Sequence, residues 1–332
     1  MRSMPILAVA LCAASLVPAQ QTNLTAHPQD SVQSGNGNYS PFGVFSTGSG
    51  AEARTQLLVP ANELPGVGAV LTGIEVFALV GGTVDYASLQ ITAAPTTATS
   101  LSYSFASNLV GTPTVVLPGA PLQVTHSTTA WVGIPFSNYY VHDGISSLVL
   151  DVQKIVQSAA SYTFVSTAKS SYPQRLDRPH MVYVFGGPGS GQSTAANAFA
   201  DDSPISFRLT WLATPTLHNV SNIGTSGNQY NIGGSLTLHV EGDPGFLFAL
   251  AASTGFLSPA VMIPGIGGTF RLNGAVLFAG GLLDAAGEAA VVLNLPNDPT
   301  VIGYYLVYQA ASVDPGTGAI VLTNGTDNFV NG

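Results

Sequence analysis

Residues 148–153 read Leu-Val-Leu-Asp-Val-Gln and predict a β-strand. The apolar residues at 148, 150 and 152 fall on one side of an extended chain, while Asp151 and Gln153 fall on the other. The same alternation recurs at residues 205–211, Ile-Ser-Phe-Arg-Leu-Thr-Trp, and at residues 236–241, Leu-Thr-Leu-His-Val-Glu. This pattern is typical of strands that turn one face to a core and the other to water.

Glycine and proline separate the predicted strands at short intervals. The chain contains 37 Gly and 22 Pro, and no apolar stripe at helical spacing lasts longer than a turn or two. Short strands joined by such turns predict an all-β protein. We expect two β-sandwich domains, a jelly-roll-like one in residues 51–212 and an immunoglobulin-like one in residues 213–332. The polar, glycine-rich segment 20–50 is predicted to be flexible.

Short motifs at strand starts and turns run through both predicted domains. They are Leu57–Leu64 with Leu71–Ile74, Trp131–Phe136 with His142–Gly144 and Ser147–Val152, and, further on, Leu283–Gly287, Leu295–Pro299, Gly303, Tyr308–Ala310 and Leu322–Gly325. The motifs resemble those of uncharacterised exported β-sandwich surface proteins of planctomycete-type bacteria, with His142 in place of an aromatic residue and Ser147 in place of an asparagine. The resemblance implies an exported bacterial protein with an N-terminal sandwich and a C-terminal immunoglobulin-like module. It implies no active site.

The first nineteen residues are predicted to be a signal peptide. Arg2 precedes an uncharged apolar run, and Val17-Pro18-Ala19 places small residues before Gln20. Cleavage after Ala19 predicts a secreted or cell-surface protein. The alternatives are a buried N-terminal segment and a lipoprotein anchored through Cys12. The run is too short to span a membrane, and no span is predicted in the mature chain. Cleavage removes Cys12, the only cysteine, so the mature chain is predicted to lack disulfides and thiolate sites.

The charge pattern argues against two classes of partner. The formal net charge is −9, and charged residues make up only 8% of the chain. An acidic surface lacks the cations that a phosphate backbone requires, so we expect no nucleic-acid partner. The same sign argues against binding to anionic lipid.

Motifs that could carry catalysis are incomplete. Residues 186–193, Gly-Gly-Pro-Gly-Ser-Gly-Gln-Ser, fit a nucleotide-binding P-loop except that Gln192 stands where the phosphate-binding lysine belongs. We interpret them as a loop between strands. There is no G-x-S-x-G motif, and no two histidines lie within four residues of each other. The sequence therefore predicts a non-enzymatic protein without a cofactor. Asp201 and Asp202, with Asp143 or Asp177, form a weak candidate Ca²⁺ site.

Basic and aromatic residues are concentrated between positions 154 and 180. Aromatic rings beside cationic side chains suit sugars and protein partners. We therefore predict a ligand-binding face for an extracellular glycan or a surface protein, formed by Lys154, Tyr162, Lys169, Tyr172, Arg175, Arg178 and His180. The main functional hypothesis is an exported structural or adhesive protein of the cell surface or extracellular space. The alternatives are a carbohydrate-binding protein that attaches to extracellular polysaccharide and a hydrolase with an unrecognised site.

Overall fold

A computed structural model describes most of the chain. The described residues are 22–27, 37–38, 41–43, 50–78, 81–128, 130–159, 166–167, 181–198, 200–202, 207–212, 214–221 and 229–332. Their regular structure is almost entirely β-strand, which confirms the prediction of an all-β protein. The helical segments described are the short helix α1, Phe105–Asn108, and 3₁₀ turns at Ala61–Glu63, Gln192–Thr194 and Pro299–Val301.

Two antiparallel sheets make up the first part of the chain. Their strands, with a separate β2–β9 pair, are β1 Thr22–His27, β2 Gly37–Asn38, β3 Glu52–Val59, β4 Val70–Ala78, β5 Gly82–Thr96, β6 Thr114–His126, β7 Ala130–Val141, β8 Ser147–Ala159, β9 Ser166–Thr167, β10 Met181–Gly186, β11 Ala200–Asp202 and β12 Phe207–Leu212. One sheet has the order β1-β12-β4-β7, and the other has the order β11-β10-β3-β8-β5-β6.

These two sheets pack face to face around one apolar core. The four-stranded sheet contributes Ile74, Leu209 and Trp211, and the six-stranded sheet contributes Leu57 and Ile91, all fully buried. Burying a side chain of this size stabilises a fold by roughly 1.5–3 kcal/mol. The alternation predicted for residues 205–211 is confirmed in its described part, where the apolar side chains of β12 point into this core.

The prediction that β8 turns one face to water is wrong. Leu150 packs in the core between the sheets, but Val149 on the opposite face is equally buried, in a second cluster with Phe105 of α1. Asp151 lies on this second face and is buried, with its two oxygens 3.0 and 2.6 Å from Nε and Nη2 of Arg54. Because β8 is central in its sheet and α1 covers the outer face, the carboxylate there is paired rather than solvated.

Part of the predicted flexible segment 20–50 is built into the sandwich. Strand β1 pairs antiparallel with β12 over its whole length, from Thr22 opposite Leu212 to His27 opposite Phe207. Phe42 is buried, and its carbonyl accepts a 2.7 Å hydrogen bond from the hydroxyl of Tyr86. Residues 22–27 and 41–43 are therefore part of the first sandwich. The physical reason is that a sheet edge supplies hydrogen bonds, which local composition does not reveal.

A second pair of sheets follows. The strands are β13 Thr216–Ser221, β14 Gln229–Asn231, β15 Ser235–Glu241, β16 Leu247–Ser253, β17 Phe256–Val261, β18 Ile266–Gly267, β19 Phe270–Leu272, β20 Val276–Leu282, β21 Glu288–Asn294, β22 Tyr305–Val313 and β23 Ile320–Asn331. One sheet has the order β13-β15-β21, and the other has the order β14-β23-β22-β16-β20, with β18 also beside β23. Strands β17 and β19 form a separate pair.

The second pair of sheets encloses its own core. Leu236, Leu238 and Val240 of β15 are fully buried opposite Leu250 and Tyr308. This confirms the inward face predicted for residues 236–241. The buried members of the first core lie between residues 42 and 211, and those of this core lie between residues 217 and 330.

Candidate functional site

The predicted ligand-binding face is represented in the described chain by Lys154. Tyr162, Lys169, Tyr172, Arg175, Arg178 and His180 lie outside the described residues. Lys154 is 1% exposed on β8, and its ammonium donates a hydrogen bond to the carbonyl of Gly43. Burial lowers the pKa of Lys154 to about 7. Lys154 therefore lies in the interior of the first sandwich and not on its surface.

Of the weak Ca²⁺ candidate, the structure describes the backbone of Asp201 and Asp202 and the side chain of Asp143. Asp201 and Asp202 lie on β11, where their backbones pair with Val182 and Met181 of β10. The carboxylate of Asp143 accepts hydrogen bonds from its own turn, including one of 2.6 Å from the hydroxyl of Ser146. Asp177 lies outside the described residues. Among the residues described, no three His, Cys, Asp or Glu side chains come together as a metal-binding group.

The glycine-rich loop 186–193 binds a carboxylate of the protein itself. Glu52 on β3 is buried, and its two carboxylate oxygens accept hydrogen bonds of 2.6 Å each from the backbone N–H groups of Gly189 and Gly191. Both glycines have positive φ, which turns their N–H groups towards one point and forms an anion-binding nest. Because the Glu52 carboxylate occupies this nest, the loop is fixed to the first residue of β3. This agrees with its interpretation as a loop between strands.

His142 fills an internal position, although the resemblance leads one to expect an aromatic ring there. Its ring nitrogens lie 3.0 Å from the carbonyl oxygen of Pro65 and 2.9 Å from that of Ser146. Its ring meets Trp211 edge-on, with centroids 6.2 Å apart. Burial lowers the pKa of His142, which favours the neutral ring. The histidine therefore replaces an aromatic side chain in packing and adds polar contacts to the turn.

Motif residues of both domains meet at the joint between the two sandwiches. Arg271 on β19 is buried, and its Nη2 lies 3.4 Å from the carbonyl oxygen of Leu64 and 3.5 Å from that of Gly144. Gly325 on β23 lies so close to the first domain that a Cβ atom there would be 2.9 Å from the carbonyl oxygen of Asn62. Of the motif residues, Leu64, Gly144, Asn62 and Gly325 therefore lie at this interface, with Arg271 from outside the motifs.

A buried ionisable cluster lies beside the same joint. Glu241 accepts hydrogen bonds of 2.6 Å from the backbone N–H of Leu24 and 3.3 Å from the hydroxyl of Thr216. Nδ1 of His218 lies 3.5 Å from the Glu241 carboxylate, and the His218 ring stacks on His239 with centroids 5.0 Å apart. Burial raises the pKa of Glu241 to about 7 and lowers that of His218 to about 3.

This cluster connects the two domains rather than facing a substrate. Leu24 belongs to β1 of the first sandwich, while Glu241 and His218 belong to the second. Both ionisable side chains are buried, so a substrate would reach them only if the joint opened. Sequence reasoning missed the cluster, because its residues are distant in the sequence. Leu24 and Glu241, which share a hydrogen bond, are 217 residues apart.

Two open clefts occur in the described part of the molecule. One of about 480 Å³ lies between β6 and β7, where the guanidinium of Arg208 covers the ring of Trp131 at 3.9 Å. The other, of about 290 Å³, lies at the joint between Val67, Pro215 and Phe246. The lining of the first cleft includes His126 beside Thr125 and Ser127, and that of the second includes Asp243, Asp314 and Ser312.

Several exposed apolar side chains of the described residues lie on the consecutive strands β20 and β21. We define the open edge as these two strands with their exposed side chains Val276, Leu277, Phe278, Leu282 and Val292. Strand β20 pairs with β16, strand β21 pairs with β15, and no other described strand pairs with either. The turn 283–287 joins the two strands. The edge strand β20 of one sheet and the edge strand β21 of the other therefore lie on the same side of the second sandwich.

Comparisons with known proteins do not assign a family. No family model matches the chain, and no curated protein matches it. Among solved structures, the sporulation control protein Spo0M from Bacillus subtilis is 13% identical over 36% of this chain and 49% of its own, with a TM-score of 0.20. Red sea bream transglutaminase is 15% identical over 83% of this chain and 31% of its own, with a TM-score of 0.18. The chain thus spans about half of the first structure and less than a third of the second. At these TM-scores, neither likeness carries a functional argument.

One further observation concerns membranes. Across the residues that the structure describes, no helix combines the length and the apolar character needed for a membrane span.

Proposed function

We propose that this protein is an exported, non-enzymatic component of the cell surface or extracellular space, and that it acts structurally by association through the open edge. The observation that carries this proposal is the exposure of Val276, Leu277 and Leu282, each more than 60% exposed on one uncharged strand. Sheet edges of this kind readily pair with another chain, and large exposed apolar patches mark interaction sites.

The first sandwich supports this proposal by contrast. Strand β6 ends the six-stranded sheet and contains Pro118 and Pro121, and strand β7 ends the four-stranded sheet and contains Pro135. Proline lacks the N–H group that a neighbouring strand would use, so it blocks edge pairing. Strands β20 and β21 contain no proline. Proline therefore protects two edges of the first sandwich, whereas neither β20 nor β21 of the second is protected in this way.

The proposed location rests on the N-terminal sequence and on the resemblance. Strand β1 begins at Thr22, so cleavage after Ala19 would leave the strand complete in the exported protein. We also propose the finer architecture, a jelly-roll-like first sandwich and an immunoglobulin-like second one. Two stacked sheets in each half support it, and their strand pairs are antiparallel except for β14 and β18, which pair parallel with β23.

Fractionation and add-back of the protein test the proposal. The native protein should be found in the surface or secreted fraction of the producing cells, processed after Ala19. Purified residues 20–332 should bind to washed cells, and Leu277→Glu with Leu282→Glu should reduce this binding at least fivefold, because charges then line the open edge. Val141→Glu is the control, since Val141 is 61% exposed on the first sandwich. An unprocessed cytoplasmic protein, or equal binding of both variants, would contradict the proposal.

Glycan binding is a second candidate function. Tyr183 and Phe185 on β10 stack with centroids 5.8 Å apart and planes 14° apart, and Phe185 is partly exposed. Aromatic faces of this kind suit sugar rings, and the pair directly follows the basic and aromatic segment 154–180. Retention of residues 20–332 on insoluble and acidic polysaccharides, with calcium and with chelator, tests this function. Loss of retention with Arg175→Ala and Arg178→Ala would support it, and no retention on any polysaccharide would oppose it.

A further inference from the structure

We propose that the partner of the open edge is a second copy of this chain, bound by antiparallel pairing of β21 with β21 around a two-fold axis. The inference rests on the function proposed above and specifies its partner. Residues of the second copy are marked with a prime.

The backbone of β21 is suited to such pairing. It pairs with β15 without a break, from Ser235 opposite Asn294 to Glu241 opposite Glu288. A regular strand presents its remaining N–H and C=O groups in an even row along the outer edge. Neither of the devices that usually protect an edge, a bulge or a proline, occurs in β21.

The side chains of β21 are complementary to those of a second copy in one register. A two-fold axis through Val291 places Ala290 opposite Val292′ and Ala289 opposite Leu293′. Each small side chain then faces a larger one, as cross-strand packing requires. In this strand, Ala289, Val291 and Leu293 point towards the core, while Val292 is 56% exposed on the outer face.

The position of the one charged residue of β21, Glu288, is compatible with this register. Glu288 is the only charged residue of β21, and it falls opposite Asn294′. The two glutamates then lie at opposite ends of the paired strands, about 20 Å apart at roughly 3.4 Å per residue. This is beyond the Debye length of about 8 Å at physiological salt, so their repulsion is largely screened.

The sheet that ends at β20 also lies near the proposed two-fold axis. Both sheets of the second sandwich end on this side, so an axis through β21 also brings β20 towards β20′. Strand β20 has a register irregularity relative to β16, between the pairs Leu250 with Ala279 and Ala251 with Leu277. A bulged strand makes a poor continuous ladder. We therefore assign β20 to apolar packing, in which Leu277 and Leu282 are covered by the second copy.

Cysteine cross-linking tests the register. Residues 20–332 contain no cysteine, so each introduced thiol reports on one position. Ala290→Cys and Val292→Cys are purified separately, one with a larger tag, then mixed and oxidised. Because directly opposite residues lie about 4.5–5.5 Å apart between Cα atoms, a mixed disulfide can form. We expect the mixed cross-link to exceed either homodimeric cross-link at least fivefold.

Sedimentation equilibrium tests the association itself. Val292→Glu should raise the dimer dissociation constant at least tenfold, because the carboxylate would be buried against Ala290′. Val141→Glu should match the unmodified protein, and circular dichroism should show that both variants are folded. A monomer at 100 µM, or a dimer without the preferred mixed cross-link, would overturn the inference.

The two proposals fail in different ways. If Val292→Glu loses binding to washed cells while the unmodified protein is monomeric, the open edge functions with a different partner, and the inference alone fails. If neither binding to cells nor self-association responds to changes in the open edge, the proposed function fails as well.

Discussion

Replacing Glu241 by glutamine should make the stability of this protein less sensitive to pH. The Glu241 carboxyl is buried, which raises its pKa from the ordinary value of 4.5 to about 7. Between these two values, the native state holds a proton that the unfolded chain has released. The stabilisation from the protonated carboxyl is therefore complete below pH 4.5 and is lost as pH rises through 7.

The size of this effect follows from the displacement of the pKa. At about 1.4 kcal/mol per pKa unit, the change from 4.5 to about 7 corresponds to about 3 kcal/mol of unfolding free energy. Glutamine has a similar shape, stays neutral and can still accept the hydrogen bond from the N–H of Leu24. The surrounding ionisable groups, His218, His239, Arg208 and Glu288, are present in both proteins. We therefore expect Glu241→Gln to gain about 3 kcal/mol relative to the unmodified protein between pH 4.5 and pH 8.

Urea denaturation at both pH values, followed by circular dichroism, measures this difference. Asp243→Asn is the matched control, because it neutralises an exposed carboxylate in the same domain. If the difference between Glu241→Gln and the unmodified protein changes by less than about 0.5 kcal/mol over this range, the burial argument is refuted.

Three further predictions concern internal contacts. In calorimetry, Lys154→Met should stabilise the protein by about 5 kcal/mol more at pH 6 than at pH 10.5. Burial lowers the pKa of Lys154 from 10.5 to about 7, so at low pH the native state must hold a buried charged ammonium that methionine lacks. An equal effect at both pH values would contradict this. Glu52→Ala should cost about 2–4 kcal/mol in urea denaturation and speed hydrogen exchange in loop 186–193, because two buried charge-assisted hydrogen bonds are lost; unchanged exchange would show that these bonds do not fix the loop. Gly325→Ala should cost about 1–3 kcal/mol by overpacking against Phe256, whereas Gly255→Ala, where an added Cβ meets no atom within 4 Å, should not add a clash; equal thermal shifts of the two variants would oppose this.

The fold class could be predicted because it depends on neighbouring residues. Alternation in residues 207–211 and 236–240 identified core-facing positions that the structure confirms. The same rule failed at Asp151, because periodicity indicates which residues share a face but not what covers that face. Strand β1 was not identified from composition, because its pairing partner, the edge of β12, is distant in the sequence.

The candidate site could be predicted only in general terms. Nothing local distinguishes β20 from a buried strand, since Val-Leu-Phe-Ala-Gly-Gly-Leu is apolar throughout. Its exposure follows from its place at the end of a sheet. Conversely, Lys154 suggested a binding surface, and its central strand places it in the interior.

The amino-acid sequence by itself determined the all-β class and the inward faces of β8, β12 and β15, because these depend on residues within a few positions of one another. The tertiary structure alone decided which charges are paired. Arg54 contacts Asp151 across 97 residues, Glu52 contacts Gly189 across 137, and Leu24 contacts Glu241 across 217. Such pairs depend on how sheets stack and on which strands end them, and these properties arise when the whole chain has folded.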